Sequence, residues 1–117
     1  MYEGGRVALF GKRRSGQLRT ATSDDERHLQ EFVRTRRGVE AFIEPRTAVT
    51  ETTMLLVADT GEWTRRRVAG PQAAHSLAGR LGIPAYDAGV MGYPQRMREW
   101  NRRQAEERKP ADGSRPE

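Results

Sequence analysis

The chain has 117 residues, of which 35% are hydrophobic and 32% charged, with a formal net charge of +5 and no cysteine. That length and apolar content support one small domain with a modest core, and the basic balance points to an acidic partner. Without cysteine there is no disulfide framework, thiolate nucleophile or cysteine zinc site; the longest apolar runs, Val7 to Phe10 and Met54 to Ala58, are too short to span a bilayer or form a signal-peptide core. A cytoplasmic protein with no membrane partner is the expectation.

Residues 1 to 20 set Arg6, Lys12, Arg13, Arg14 and Arg19 against one acid, Glu3, so most of the excess positive charge falls there. Arg6-Val-Ala-Leu-Phe10 lies between Gly4-Gly5 and the basic Gly11 to Gly16 stretch, and reads as a short strand followed by a basic arm. Residues 21 to 109 are expected to form a single α+β domain. Ser23-Asp-Asp-Glu26 opens a helix: the serine hydroxyl can accept from a backbone N–H three residues on, Glu26 can reach back, and three acids suit the positive end of the helix dipole. Leu29, Phe32 and Val33 share one face of this helix, and Arg34, Arg36, Arg37 and Gly38 mark its end, giving 23 to 37.

Val39 to Glu44 is rich in β-formers, and Pro45 ends it or marks an edge. Thr52 to Asp59, with Met-Leu-Leu-Val at its centre, reads as a strand buried on both faces, and Asp59-Thr-Gly-Glu62 as the turn of a hairpin into Trp63 to Val68. Because side chains alternate along a strand, Trp63, Arg65 and Arg67 point one way and Thr64, Arg66 and Val68 the other. Gly70-Pro71 opens a second helix, 71 to 82, with Ala74, Leu77, Ala78 and Leu81 as its buried stripe and Gly82 as its stop. Ile83-Pro84 leads to an extended piece, Ala85 to Asp87, and then to a glycine-rich loop from Ala88 to Gly92. Pro94 starts a third helix running to about Arg108, resting on the body through Met97 and Trp100, and Pro110 to Glu117 has the composition of a disordered tail. The expected fold is a small antiparallel sheet of three or four strands, with two helices packed on one face and a C-terminal helix flanking it.

The order helix, strand, strand, strand, helix between Ser23 and Leu81 resembles that of double-stranded-RNA-binding domains. Its three strands and following helix are also similar to the small DNA-binding sheets of integrase arm domains and plant ethylene-response factors. The resemblance implies a nucleic-acid-binding surface. It departs at the start of the second helix, where the RNA-binding domains carry phosphate-gripping lysines and this chain has Gly70-Pro-Gln-Ala-Ala74. Thr52-Thr-Met-Leu-Leu-Val57, Gly61-Glu-Trp-Thr-Arg-Arg-Arg67 and Gly92-Tyr-Pro-Gln-Arg-Met-Arg98 are similar to stretches of small arginine-rich proteins from GC-rich bacteria, a likeness that carries no function.

All the basic residues other than Lys12 and Lys109 are arginines. The planar, permanently charged guanidinium meets a phosphate with two parallel hydrogen bonds, so clustered arginine marks nucleic acid better than the same charge in lysine. A GC-rich genome would enrich arginine without any such role. Three groups are candidates for nucleic-acid binding. Trp63 with Arg65, Arg66 and Arg67 could stack on a base while the guanidiniums hold the backbone. Arg96, Arg98, Arg102 and Arg103 share a helix with Trp100, just after Tyr93. Lys12, Arg13 and Arg14 belong to the N-terminal arm.

The opposing reading pairs the strand arginines with Glu40, Glu44 and Glu51 on neighbouring strands, and Glu99 with Arg102 or Arg103. No catalytic residue, metal ligand or cofactor is expected: His28 and His75, one on the surface of the first helix and one partly buried in the second, have no cysteine to complete a site, and no serine sits in a nucleophile turn. The expectation is a non-enzymatic module that binds RNA or DNA backbone within a ribosomal or transcription complex. The rival is a protein interaction adaptor or homodimer whose Met54 to Val57 strand and Trp100 helix make the contacts.

Overall fold

The computed structural model describes residues 23 to 108; the basic arm expected over residues 1 to 20, with Lys12, Arg13 and Arg14, and the tail over residues 110 to 117 lie outside the described residues. In chain order the elements are α1 (Ser23–Thr35), β1 (Glu40–Glu44), β2 (Thr53–Val57), β3 (Trp63–Arg67), α2 (Pro71–Leu81), β4 (Ala85–Asp87), the single turn α3 (Ala88–Met91) and α4 (Gln95–Glu107). The α+β class holds, as do the expected helices and the hairpin, with slightly trimmed ends.

α1 buries Leu29 and Phe32 and keeps its three acids in the first turn. Glu26 lies 3.7 Å from Arg80 of α2, so it links the two helices. α2 has Pro71 in its first turn and ends at Gly82, whose φ of 72° is left-handed and lets its N–H reach the Ala78 and Gly79 carbonyls. The stretch from Ala88, read as a loop, contains the turn α3 because the Asp87 carboxylate accepts from the Gly89 N–H at 2.7 Å.

The sheet has the order β3-β2-β1-β4. β1, β2 and β3 form an antiparallel meander, whereas β4 runs parallel to β1, with Phe42 opposite Tyr86. This corrects the expectation of a wholly antiparallel sheet. The chain leaves the β3 edge, crosses over in α2 and returns at the far edge; a helical crossover of that length delivers a parallel strand, as a tight hairpin cannot.

Strand alternation sends apolar side chains to both faces. On one face Ala41, Ile43, Met54 and Leu56 pack with Leu29 and Phe32 of α1 and Ala74, Leu77 and Ala78 of α2. The other face gathers Phe42, Leu55 and Val57 with Ala88 of α3 and Met97 of α4, flanked by Trp63 and Tyr86. β2 is therefore covered on both sides, and Met54 through Ala58 have no exposure at all. Each such leucine contributes roughly 1.5–3 kcal/mol through burial alone. This removes the Met54 to Val57 strand as a contact surface for a homodimer or adaptor. No helix of the described residues is long and apolar enough to cross a membrane.

Candidate nucleic-acid interface

On the α4 face of the sheet the register sets three cross-strand rows: Trp63–Val57–Glu40, then Arg65–Leu55–Phe42–Tyr86, then Arg67–Thr53–Glu44. α4 is latched to the first row by polar groups. Arg96 donates from Nη2 to Glu40 Oε1 at 2.7 Å and from Nε to the Ala58 carbonyl at 2.9 Å, and its side chain is only 29% exposed. Trp63 donates from Nε1 to Asn101 Oδ1 at 2.7 Å. Arg103 lies over the Trp100 ring and donates to the Thr60 carbonyl at 3.1 Å. Glu99, which helical spacing suggested as a partner for Arg102 or Arg103, accepts from Gln95 instead.

The third row centres on Glu44. Its carboxylate accepts from Thr53 Oγ1 at 2.6 Å, from Arg65 Nε and Nη2 at 2.8 and 2.9 Å, and from the Tyr93 hydroxyl. Burial by itself would raise the pKa of Glu44, but the hydrogen bonds from Arg65, Thr53 and Tyr93 outweigh it and hold the carboxyl below its ordinary value. The same contact, together with burial, pushes the Tyr93 phenol up. Tyr93 is fixed further by Arg98, which donates from Nη1 to the Tyr93 carbonyl at 3.1 Å, and its ring sits 6.5 Å from that of Phe42 while remaining 39% exposed. Arg67, across the same row, has a buried Nε with no acceptor among the described residues. An open groove of about 410 Å³ at this outer edge of the sheet is lined by Arg65, Arg66, Arg67, Thr53, Asp24 and Asp25.

Arg66 points to the opposite face, as the alternation requires. Its Nε lies 3.6 Å from Asp25, and its Nη2 lies 3.3 Å from Nδ1 of His28, whose Nε2 is 2.6 Å from Thr64 Oγ1. A guanidinium only donates, so Nδ1 of His28 is the acceptor and the imidazole proton resides on Nε2, directed at Thr64. In that tautomer His28 does not take a proton from Thr64. Burial, then the neighbouring Arg66 and Arg36, lower the His28 pKa against the opposing pull of Asp25, which favours the neutral ring. His28 is half-buried and His75 exposed, the reverse of the expectation for the pair.

The eleven candidate residues thus divide by partner. Arg65, Arg66 and Arg96 are held by Glu44, Asp25 and Glu40. Trp63 is half-buried and packed against the second core, with the Arg65 guanidinium 5.3 Å from its ring centre. Arg67, Arg98, Arg102 and Arg103 form no ion pair among the described residues. Lys12, Arg13 and Arg14 lie outside them. Two polar groups of the third row, Tyr93 and Thr53, were not among the candidates; the signal for Tyr93 was an aromatic placed immediately before an arginine-bearing helix. No protein-family model matches this chain, and no curated protein or solved structure shows significant similarity to it.

Proposed function

We propose that this protein is a non-enzymatic, cytoplasmic module that binds the backbone of RNA or DNA within a ribosomal or transcription complex. The observation that carries this reading is the third row and its border: Arg65 and the exposed Tyr93 bind Glu44, Arg98 holds the Tyr93 carbonyl, and Arg67 lies across the row without an ion pair among the described residues. Arg102 follows Arg98 by one helical turn on α4 and is exposed. Guanidiniums without a carboxylate partner meet phosphate at no loss of an existing ion pair, whereas Arg66 and Arg96 would have to surrender one. Phosphate contacts of this kind give affinity without sequence readout.

The test compares two triple variants of equal charge. Arg67→Ala/Arg98→Ala/Arg102→Ala removes the unpaired guanidiniums, and Arg27→Ala/Arg34→Ala/Arg80→Ala removes three that are exposed and bound to carboxylates. On heparin and on immobilised mixed RNA the first variant is expected to elute well before the second. Coincident elution contradicts the proposal, because net charge alone would then account for retention.

A further inference from the structure

We infer that the nucleic acid taken by this surface is single-stranded, with one phosphate on Arg67 and an unstacked base on Tyr93; the inference rests on the nucleic-acid reading above. Tyr93 has the properties of a stacking platform. Its hydroxyl is tied to Glu44, its carbonyl is held by Arg98 and its ring is backed by Phe42, yet more than a third of the residue is exposed. A ring already fixed in place loses little freedom when a base settles on it, and every base offers a π-face. In a duplex the bases are paired and stacked inside, so a ring on a shallow sheet surface reaches one only after it is flipped out.

The spacing agrees with an extended strand. Arg67 and Glu44 are opposite each other across β2, two strand spacings apart, so their Cα atoms are separated by about 10 Å. The Tyr93 hydroxyl is bound to Glu44, so base platform and phosphate seat belong to the same cross-strand row. Arg67 is the residue free to grip. It forms no ion pair among the described residues, whereas Arg65 is engaged twice by Glu44 and Arg66 by Asp25; with its Nε buried, its grip falls to the terminal nitrogens of the guanidinium.

The borders of the site disfavour a duplex. A double helix carries its second row of phosphates about 6 to 12 Å across a groove from the first. Beyond Arg67 the groove is lined by Asp24 and Asp25, already engaged by Arg27 and Arg66, so a second row of phosphates would have to displace these carboxylates. α4 lies along the sheet, latched by Arg96, Trp63 and Arg103, so its arginines border a flat surface.

The experiment measures fluorescence anisotropy of a short labelled oligothymidylate and of its duplex with oligoadenylate, at low salt, against the full chain. The parent is expected to bind the single strand about tenfold or more tightly than the duplex. Tyr93→Leu is expected to weaken single-strand binding about fivefold to a hundredfold, the worth of one stacked base, while Tyr93→Phe retains it. Arg67→Gln should make the slope of log K against log salt shallower by about 0.7. Equal or tighter binding of the duplex, or parent-like affinity in a folded Tyr93→Leu, overturns this inference and leaves the backbone-binding proposal standing. Failure of the parent to bind either probe overturns both.

Discussion

At Gly61 the turn between β2 and β3 packs closely against α4. A β-carbon there would lie 2.1 Å from the Arg96 carbonyl oxygen and 2.9 Å from Trp100 Cβ, and the φ of 94° is one that side-chain-bearing residues rarely adopt. Gly61→Ala is expected to cost on the order of 3 kcal/mol in urea unfolding. Gly79→Ala is the contrast: a β-carbon there meets nothing, so the substitution should gain up to about 1 kcal/mol from helix propensity.

Single-residue charge also sets the response to acid. The native fold favours neutral His28, so over the interval between its lowered pKa and the unfolded value of about 6.5 the unfolded chain binds more protons. Stability is then present above that interval and lost as pH falls through it. Glu44 and Glu62, both held below the ordinary carboxylate value, add a second loss at more acid pH. Thermal melting against pH should show both steps, and His28→Gln should remove only the first.

Among the elements, α4 departs furthest from what an amphipathic pattern conveys. A search for an apolar stripe finds only Met97 and Trp100, yet the helix is latched by Arg96 to Glu40 and by Asn101 to Trp63. Arg96→Ala is expected to loosen α4 and shift the tryptophan emission to the red, since both Trp63 and Trp100 adjoin this contact; Arg98→Ala should leave the emission unchanged. α1, β2 and α2 were legible because each carries its cause locally: Leu29 and Phe32 at helical spacing, an unbroken apolar run, and Gly82 at a left-handed stop. The place of β4 was not, since three residues pair with a strand more than forty positions earlier and nothing within Ala85 to Asp87 states that partner.

The site was legible in part, for a related reason. Arg65, Arg66 and Arg67 are contiguous in sequence, but the pleat divides them between two faces and the fold supplies Glu44 and Asp25 to two of them. Alternation and the identity of Glu44 as a partner were readable from the strands. That Tyr93 would close over the same carboxylate depends on how α3 and α4 return across the sheet, which no short window contains.

At the scale of the whole molecule, helices cover both faces of one sheet, and half of the arginines among the described residues are matched to acids. Arg27, Arg34, Arg36, Arg65, Arg66, Arg80 and Arg96 all have carboxylate partners, and exposed pairs of this kind add little stability. Arg67, Arg98 and Arg102 are among the arginines that form no ion pair within the described residues, and the central claim is that these three hold phosphates. Its most direct test is the dependence of the association constant for a short single-stranded RNA on salt, for the parent and for Arg67→Ala/Arg98→Ala/Arg102→Ala. The account predicts a linear fall of log K with log salt in the parent, and a slope shallower by about 2 in the folded triple variant. A parent constant that does not change with salt, or a triple variant with the parent slope, contradicts it.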